Sequence, residues 1–105
     1  MKLLEISTHQ FAEKEPGLCF WPVGTMEAHD LGPIGTDVIA PEKLACDLAP
    51  EFDAVILPTL AYGLVSSLAG YPGGMWMSEE TYQNLIFELI SSLAISGVES
   101  VIVFN

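Results

Sequence analysis

Three short, nearly continuous apolar runs punctuate the chain: LCFWPV (18–23), AVILPTL (54–60) and SVIVF (100–104), each bounded by Gly, Pro, Asp or Asn. Strands buried on both faces have this look, so the pattern predicts three parallel strands. Between the first two lies APEKLACDLA (40–49), with Pro41 near its start, Glu42 in the first turn and Pro50 after it. These signals predict a helix of about three turns. Between the second and third runs lies SEETYQNLIFELISSLAISG (78–97). Here Ser78 can cap, Glu79 and Glu80 sit at the positive end of the helix dipole, and Gly97 closes the C-terminus. Tyr82, Leu85, Ile86, Leu89 and Leu93 recur at helical spacing. Phe87, Ile90 and Ile95 widen that face beyond one stripe, which implies contacts with more than the sheet.

The order β-α-β-α-β predicts an α/β fold, layered α/β/α around a mostly parallel sheet, with ligands at the carboxyl ends of the strands. Two segments fall at such ends. One is PVGTMEAHDLGPIGTD (22–37); the other is AYGLVSSLAGYPGGMWM (61–77), 17 residues with four glycines. Strand-to-helix connections usually take roughly two to six residues, and much longer ones are commonly functional. Residues up to Pro16 read as peripheral, and no linker or repeat divides the chain, so 1–105 reads as part of a single domain.

Composition narrows the function. Half of the 105 residues are hydrophobic and 16% are charged, against roughly 25% charged in an average domain. So apolar a short chain is expected to be a fragment or a subunit covered by neighbours. Three lysines, no arginine and a net charge of −11 offer neither a phosphate-tracking surface nor a guanidinium clamp, which excludes nucleic acid as a partner. Cys19 and Cys46 lack CxxC spacing and a secretory leader, so both are expected as reduced core thiols of a cytoplasmic protein. Every apolar run is too short to span a bilayer, and no membrane partner is expected.

The chemistry concentrates in the first loop. Glu27 and His29 point the same way in an extended segment, and a turn through Gly32, Pro33 and Gly35 can fold Asp37 back toward them. Two carboxylates and an imidazole without thiolates suit Zn²⁺ first, with Mn²⁺ or Fe²⁺ as alternatives. A metal there would activate water for attack on a carbonyl, which is hydrolytic chemistry. The alternative is a polar loop in which His29 bonds a backbone carbonyl and the acids are solvated or cap the next helix. Tyr62, Ser66, Tyr71 and Trp76, all in the long loop apart from any strand, are candidates to contact substrate. Ser66 and Ser67 have no G-x-S-x-G elbow, and GYPGG is not a dinucleotide fingerprint. Trp21 reads as core or interface, and His9 as a surface or structural residue.

The same loop resembles the creatininase family, or creatinine amidohydrolases. That family's first strand ends in a pattern like PVGSxEQHGPHLPxGTD, followed by YGxSxEHxGFPGTxxLS before a long helix and a strand running into NGHGGN. This chain carries PVGTMEAHDLGPIGTD at 22–37, YGLVSSLAGYPGGMWMS at 62–78 and VIVFN at 101–105. The resemblance implies a metal-dependent amidohydrolase acting on a non-peptide C–N bond of a small-molecule cyclic amide or formamide. It also implies a homo-oligomer, hexameric in many members, with Glu27, His29 and Asp37 as metal ligands. The chain then corresponds to the N-terminal half of such a domain, inactive alone. It departs from the pattern in spacing Glu27 and Asp37 by ten positions where eleven is common, and in Asp30, Leu31, Leu68 and Gly74. These departures keep open a non-catalytic, ligand-binding scaffold that has lost part of the metal site.

Overall fold

The computed structural model describes residues 1–105. Strand β1 (Leu18–Pro22) lies at the centre of a three-stranded sheet of order β2-β1-β3. Strands β2 (Val55–Ile56) and β3 (Ser100–Phe104) both run parallel to it. Period-two alternation along β1 divides the core. Cys19, Trp21 and Val23 point to one face, where Leu3, Phe11, Ile86, Ile90 and Leu93 pack. Those residues come from the N-terminal segment, from α1 (Thr8–Lys14) and from α3 (Glu79–Ile95). Phe20 points to the other face, against Ala45 and Ala49 of α2 (Thr36–Leu48) and its continuation. The result is the layered α/β/α arrangement.

The second strand is shorter than the apolar run 54–60 suggests. Regular pairing covers Cys19 with Val55 and Phe20 with Ile56, and resumes only as an isolated bridge between Val23 and Leu60. Pro58 has no N–H to donate to a ladder, and its carbonyl instead accepts a hydrogen bond from Trp21 Nε1 at 3.2 Å.

Helix α2 begins at Thr36, four residues before the predicted start, and continues through a 3-10 turn, Ala49–Phe52. Pro41 therefore lies inside the helix and is buried. Its missing N–H removes the bond that the Asp37 carbonyl would otherwise receive within the helix. Helix α3 matches its expected limits. Ser78 accepts from Thr81 N at 3.2 Å, while Gly97, at φ +92°, closes the other end with bonds from Gly97 N to Ala94 O and from Val98 N to Leu93 O. That pair of bonds is a Schellman cap.

Three expectations of burial need correction. The N-terminal segment is not peripheral: Lys2 bridges Ile56, Lys14 pairs with Asp53 at 2.6 Å, and Ser7 with Gln10 forms a reciprocal capping box on α1. Strand β3 is not buried on both faces, since it pairs with β1 alone and leaves Ile102 and Val103 half exposed. Cys19 is fully buried, but Cys46 is only partly so. On α3, Phe87 and Ile95 project into solvent at 72% and 88% exposure. No helix is long and apolar enough to cross a membrane.

Candidate metal centre

The chain leaves β1 at Pro22 and runs extended past Gly24. Gly24 N donates to Leu60 O at 2.8 Å, and Met75 N to Met26 O at 3.1 Å, so the segment is held on both sides. It then turns at His29, whose carbonyl accepts from Gly32 N at 2.8 Å, with Asp30 in the left-handed region at φ 50°. The turn delivers the chain to the start of α2, where Asp37 occupies the first helical turn. A carboxylate is favourable there because the helix N-terminus carries partial positive charge.

Gly24 is the joint that permits this. A Cβ placed on it would lie 2.0 Å from the Asp37 carbonyl oxygen and 3.0 Å from Val38 Cα. Only glycine lets the end of β1 pass this close to the first turn of α2. The long loop closes over the same region. Gly63 pairs with Trp76, Met77 N donates to Gly63 O at 3.1 Å, and Gly73 packs on the Ile34 side chain.

The structure brings Glu27, His29 and Asp37 together, with one ligand atom from each lying within 4.8 Å of the others. His29 Nε2 is 3.2 Å from Asp37 Oδ2, and Thr25 Oγ1 donates to that same oxygen at 3.3 Å. The facing Asp37 carboxyl pushes Glu27 above the ordinary glutamate range, chiefly because the two share a proton favourably, with burial and the Asp37 charge adding to the rise. Its interaction with the Glu27 carboxyl is the main reason Asp37 is held below the usual range, with His29 and Thr25 also helping it stay ionised. As pH falls, the pair therefore takes up its first proton at a higher pH than a lone glutamate would.

A cleft of about 740 Å³ opens beside the cluster. Thr25, Glu27 and Asp37 line it together with Leu44, Leu64 and Asn105. No lysine lines it; Lys14 and Lys43 are engaged with Asp53 and Asp47 elsewhere. Within this chain, two carboxyls and an imidazole are the side chains that face one another there. Their donor chemistry fits a divalent cation of the zinc or manganese kind, with open positions for further ligands.

Tyr62, Ser66, Tyr71 and Trp76 are exposed on the long loop, and none of them lines this cleft. Leu64 reaches it from the same loop, as do Asn105 from the end of β3 and Thr25 from the segment after β1. Thr25 had a signal in the sequence: it precedes Glu27 and His29 at two-residue steps, the spacing that puts extended side chains on one side.

A sequence model of the creatininase (creatinine amidohydrolase) family matches residues 4–105. The chain belongs to the creatininase family. Among solved structures, a creatinine amidohydrolase superposes with a TM-score of 0.88 at 23% identity, covering 97% of this chain and 43% of that one. A manganese form of creatininase gives 0.88 at 22% identity over the same shares. A zinc-zinc form of a creatininase variant gives 0.86 at 21% identity, again over 97% and 43%. At these identities the superpositions establish the fold of this creatininase-family chain, which spans less than half the length of the structures it matches. No curated protein matches it.

Proposed function

We propose that this creatininase-family chain supplies the N-terminal part of a metal-dependent amidohydrolase domain that opens a non-peptide C–N bond in a cyclic amide or formamide. The observation that carries the reading is the convergence of Glu27, His29 and Asp37 within 4.8 Å at the carboxyl end of the central strand. The zinc and manganese creatininase structures support a divalent metal as the cofactor. When bound, such a metal supplies Lewis acidity and brings the pKa of its water down to about 7.

The chain's own residues have separable tasks. Glu27, His29 and Asp37 hold the cation, and the first proton taken up by the facing Glu27 and Asp37 carboxyls competes with it. Metal affinity is accordingly expected to fall on acidification at a higher pH than an ordinary glutamate would dictate. Leu44 and Leu64 contribute apolar surface to the cleft, and Asn105 brings an amide to its lining. Tyr62, Ser66, Tyr71 and Trp76, exposed on the covering loop, are available to contact an incoming substrate. The half-exposed Ile102 and Val103 with Phe87 and Ile95 leave apolar surface for the rest of the domain, and for other copies in a homo-oligomer, to cover.

The test is hydrolysis by the longest natural form of the protein, loaded with Zn²⁺ or Mn²⁺, on creatinine, other cyclic amides and formamides. Turnover that falls about a hundredfold or more in Glu27→Gln is expected, on the scale of removing a group from a reaction centre. Stoichiometric metal without turnover of any of these compounds would instead favour the non-catalytic scaffold.

A further inference from the structure

Thr25 lies between the start of α2 and the long loop, next to the Gly24 joint. On one side, its Oγ1 donates to Asp37 Oδ2 at 3.3 Å. On the other, its Cγ2 methyl lies 3.4 Å from where a Cβ on Gly63 would sit, and Gly63 is a buried position of the long loop between the exposed Tyr62 and Leu64. A β-branched side chain has few χ1 choices. With the methyl seated against Gly63, the hydroxyl is aimed at Asp37.

Asp37 needs such a partner. Its side chain is 40% exposed, at a helix end. Without a fixed donor, its carboxylate samples rotamers that turn the ligating oxygen away from Glu27 and His29. The contact between His29 Nε2 and Asp37 Oδ2 cannot serve once both groups face a shared cation. The Thr25 hydroxyl can, because it donates a proton and competes for no coordination position.

We propose that Thr25 is a positioning residue: its hydroxyl holds the Asp37 carboxylate in ligating orientation, and its methyl, seated on Gly63, couples that orientation to the covering loop. This rests on the metal-centre reading above. Partners that orient a metal ligand typically change affinity by roughly 10- to 100-fold when removed.

The test is competition for Zn²⁺ against a chromophoric chelator, with Co²⁺ absorption as a second readout. The natural protein is compared with Thr25→Val, which keeps the shape and removes the donor, and with Thr25→Ser, which keeps the donor. Thr25→Val is expected to bind Zn²⁺ roughly 10- to 100-fold more weakly and to shift the Co²⁺ spectrum. Thr25→Ser should recover most of the affinity, and in an Asp37→Ala background Thr25→Val should cost nothing further. Where Thr25→Val does not fold, Thr25→Ala, which needs no added space, takes its place against Thr25→Ser.

Natural-protein affinity in the hydroxyl-free variant would overturn the proposal while leaving the metal centre intact. Equal weakening in Thr25→Ser and Thr25→Val would also overturn it, since the hydroxyl would then be irrelevant. Failure of the natural protein to bind Zn²⁺ or Co²⁺ overturns the metal-centre reading itself and this inference with it.

Discussion

Replacing Phe20 by alanine is expected to destabilise the protein by about 3–5 kcal/mol, the range measured for deleting a buried aromatic ring. Phe20 is 2% exposed at the middle of the central strand. Its ring meets Phe104 at 4.8 Å and Phe52 at 5.8 Å between centroids, tilted in both cases. It therefore ties three elements together: β1, the end of β3, and the 3-10 turn after α2. The residues around it on that face include Ala45, Ala49 and Ala54. Alanines have no side chain long enough to swing into the space, so the cavity stays largely open. Domains have only about 5–15 kcal/mol in total, so a denaturant titration should show a large drop in the midpoint. Phe87→Ala is the matched control: its ring is 72% exposed, and a change within about 0.5 kcal/mol is expected. Equal effects from the two substitutions would mean that the core is not where the structure puts it.

Gly24→Ala is expected to cost about 3 kcal/mol and to weaken metal binding at the same time. The added Cβ would sit 2.0 Å from a backbone oxygen, that of Asp37. Backbone cannot rotate aside as the tip of a long side chain can, so the start of α2 must retreat from the end of β1. Asp37 retreats with it, away from Glu27 and His29. Coupled loss of stability and metal affinity distinguishes this account from one in which Gly24 is merely a flexible loop residue. In that case alanine would leave the denaturation midpoint within about 0.5 kcal/mol of the natural value.

Much of this architecture was legible in the amino-acid pattern, for reasons that can be named. Apolar runs revealed the strands because a central parallel strand is buried on both faces. The helix from Ser78 was legible because its cap, its first-turn acids and its closing Gly97 all agree. Helix α2 was harder: its N-cap is Gly35, which has no side-chain cap bond. Pro41 resembled a first-turn proline when it actually sits in the helix interior. The short α1 was overlooked although Ser7 and Gln10 have capping-box spacing. Strand β3 pairs with β1 as its apolar run suggests, while Ile102 and Val103 stay half exposed within this chain.

The candidate site follows the same logic. Glu27 and His29 were readable from alternation, and Asp37 from the glycine-rich turn that returns the chain. Nothing in the sequence showed that Leu64 and Asn105 would meet at the same cleft, because that depends on how the long loop and β3 lie across the sheet.

The central claim is that Glu27, His29 and Asp37 form a divalent-metal centre, and elemental analysis by mass spectrometry tests it most directly. The protein would be purified untagged in its longest natural form, beside His29→Ala. The account predicts near-stoichiometric zinc or manganese in the natural protein, reduced at least about tenfold in the variant, as expected when a ligand is deleted. No bound metal, with none taken up on reconstitution, would contradict it.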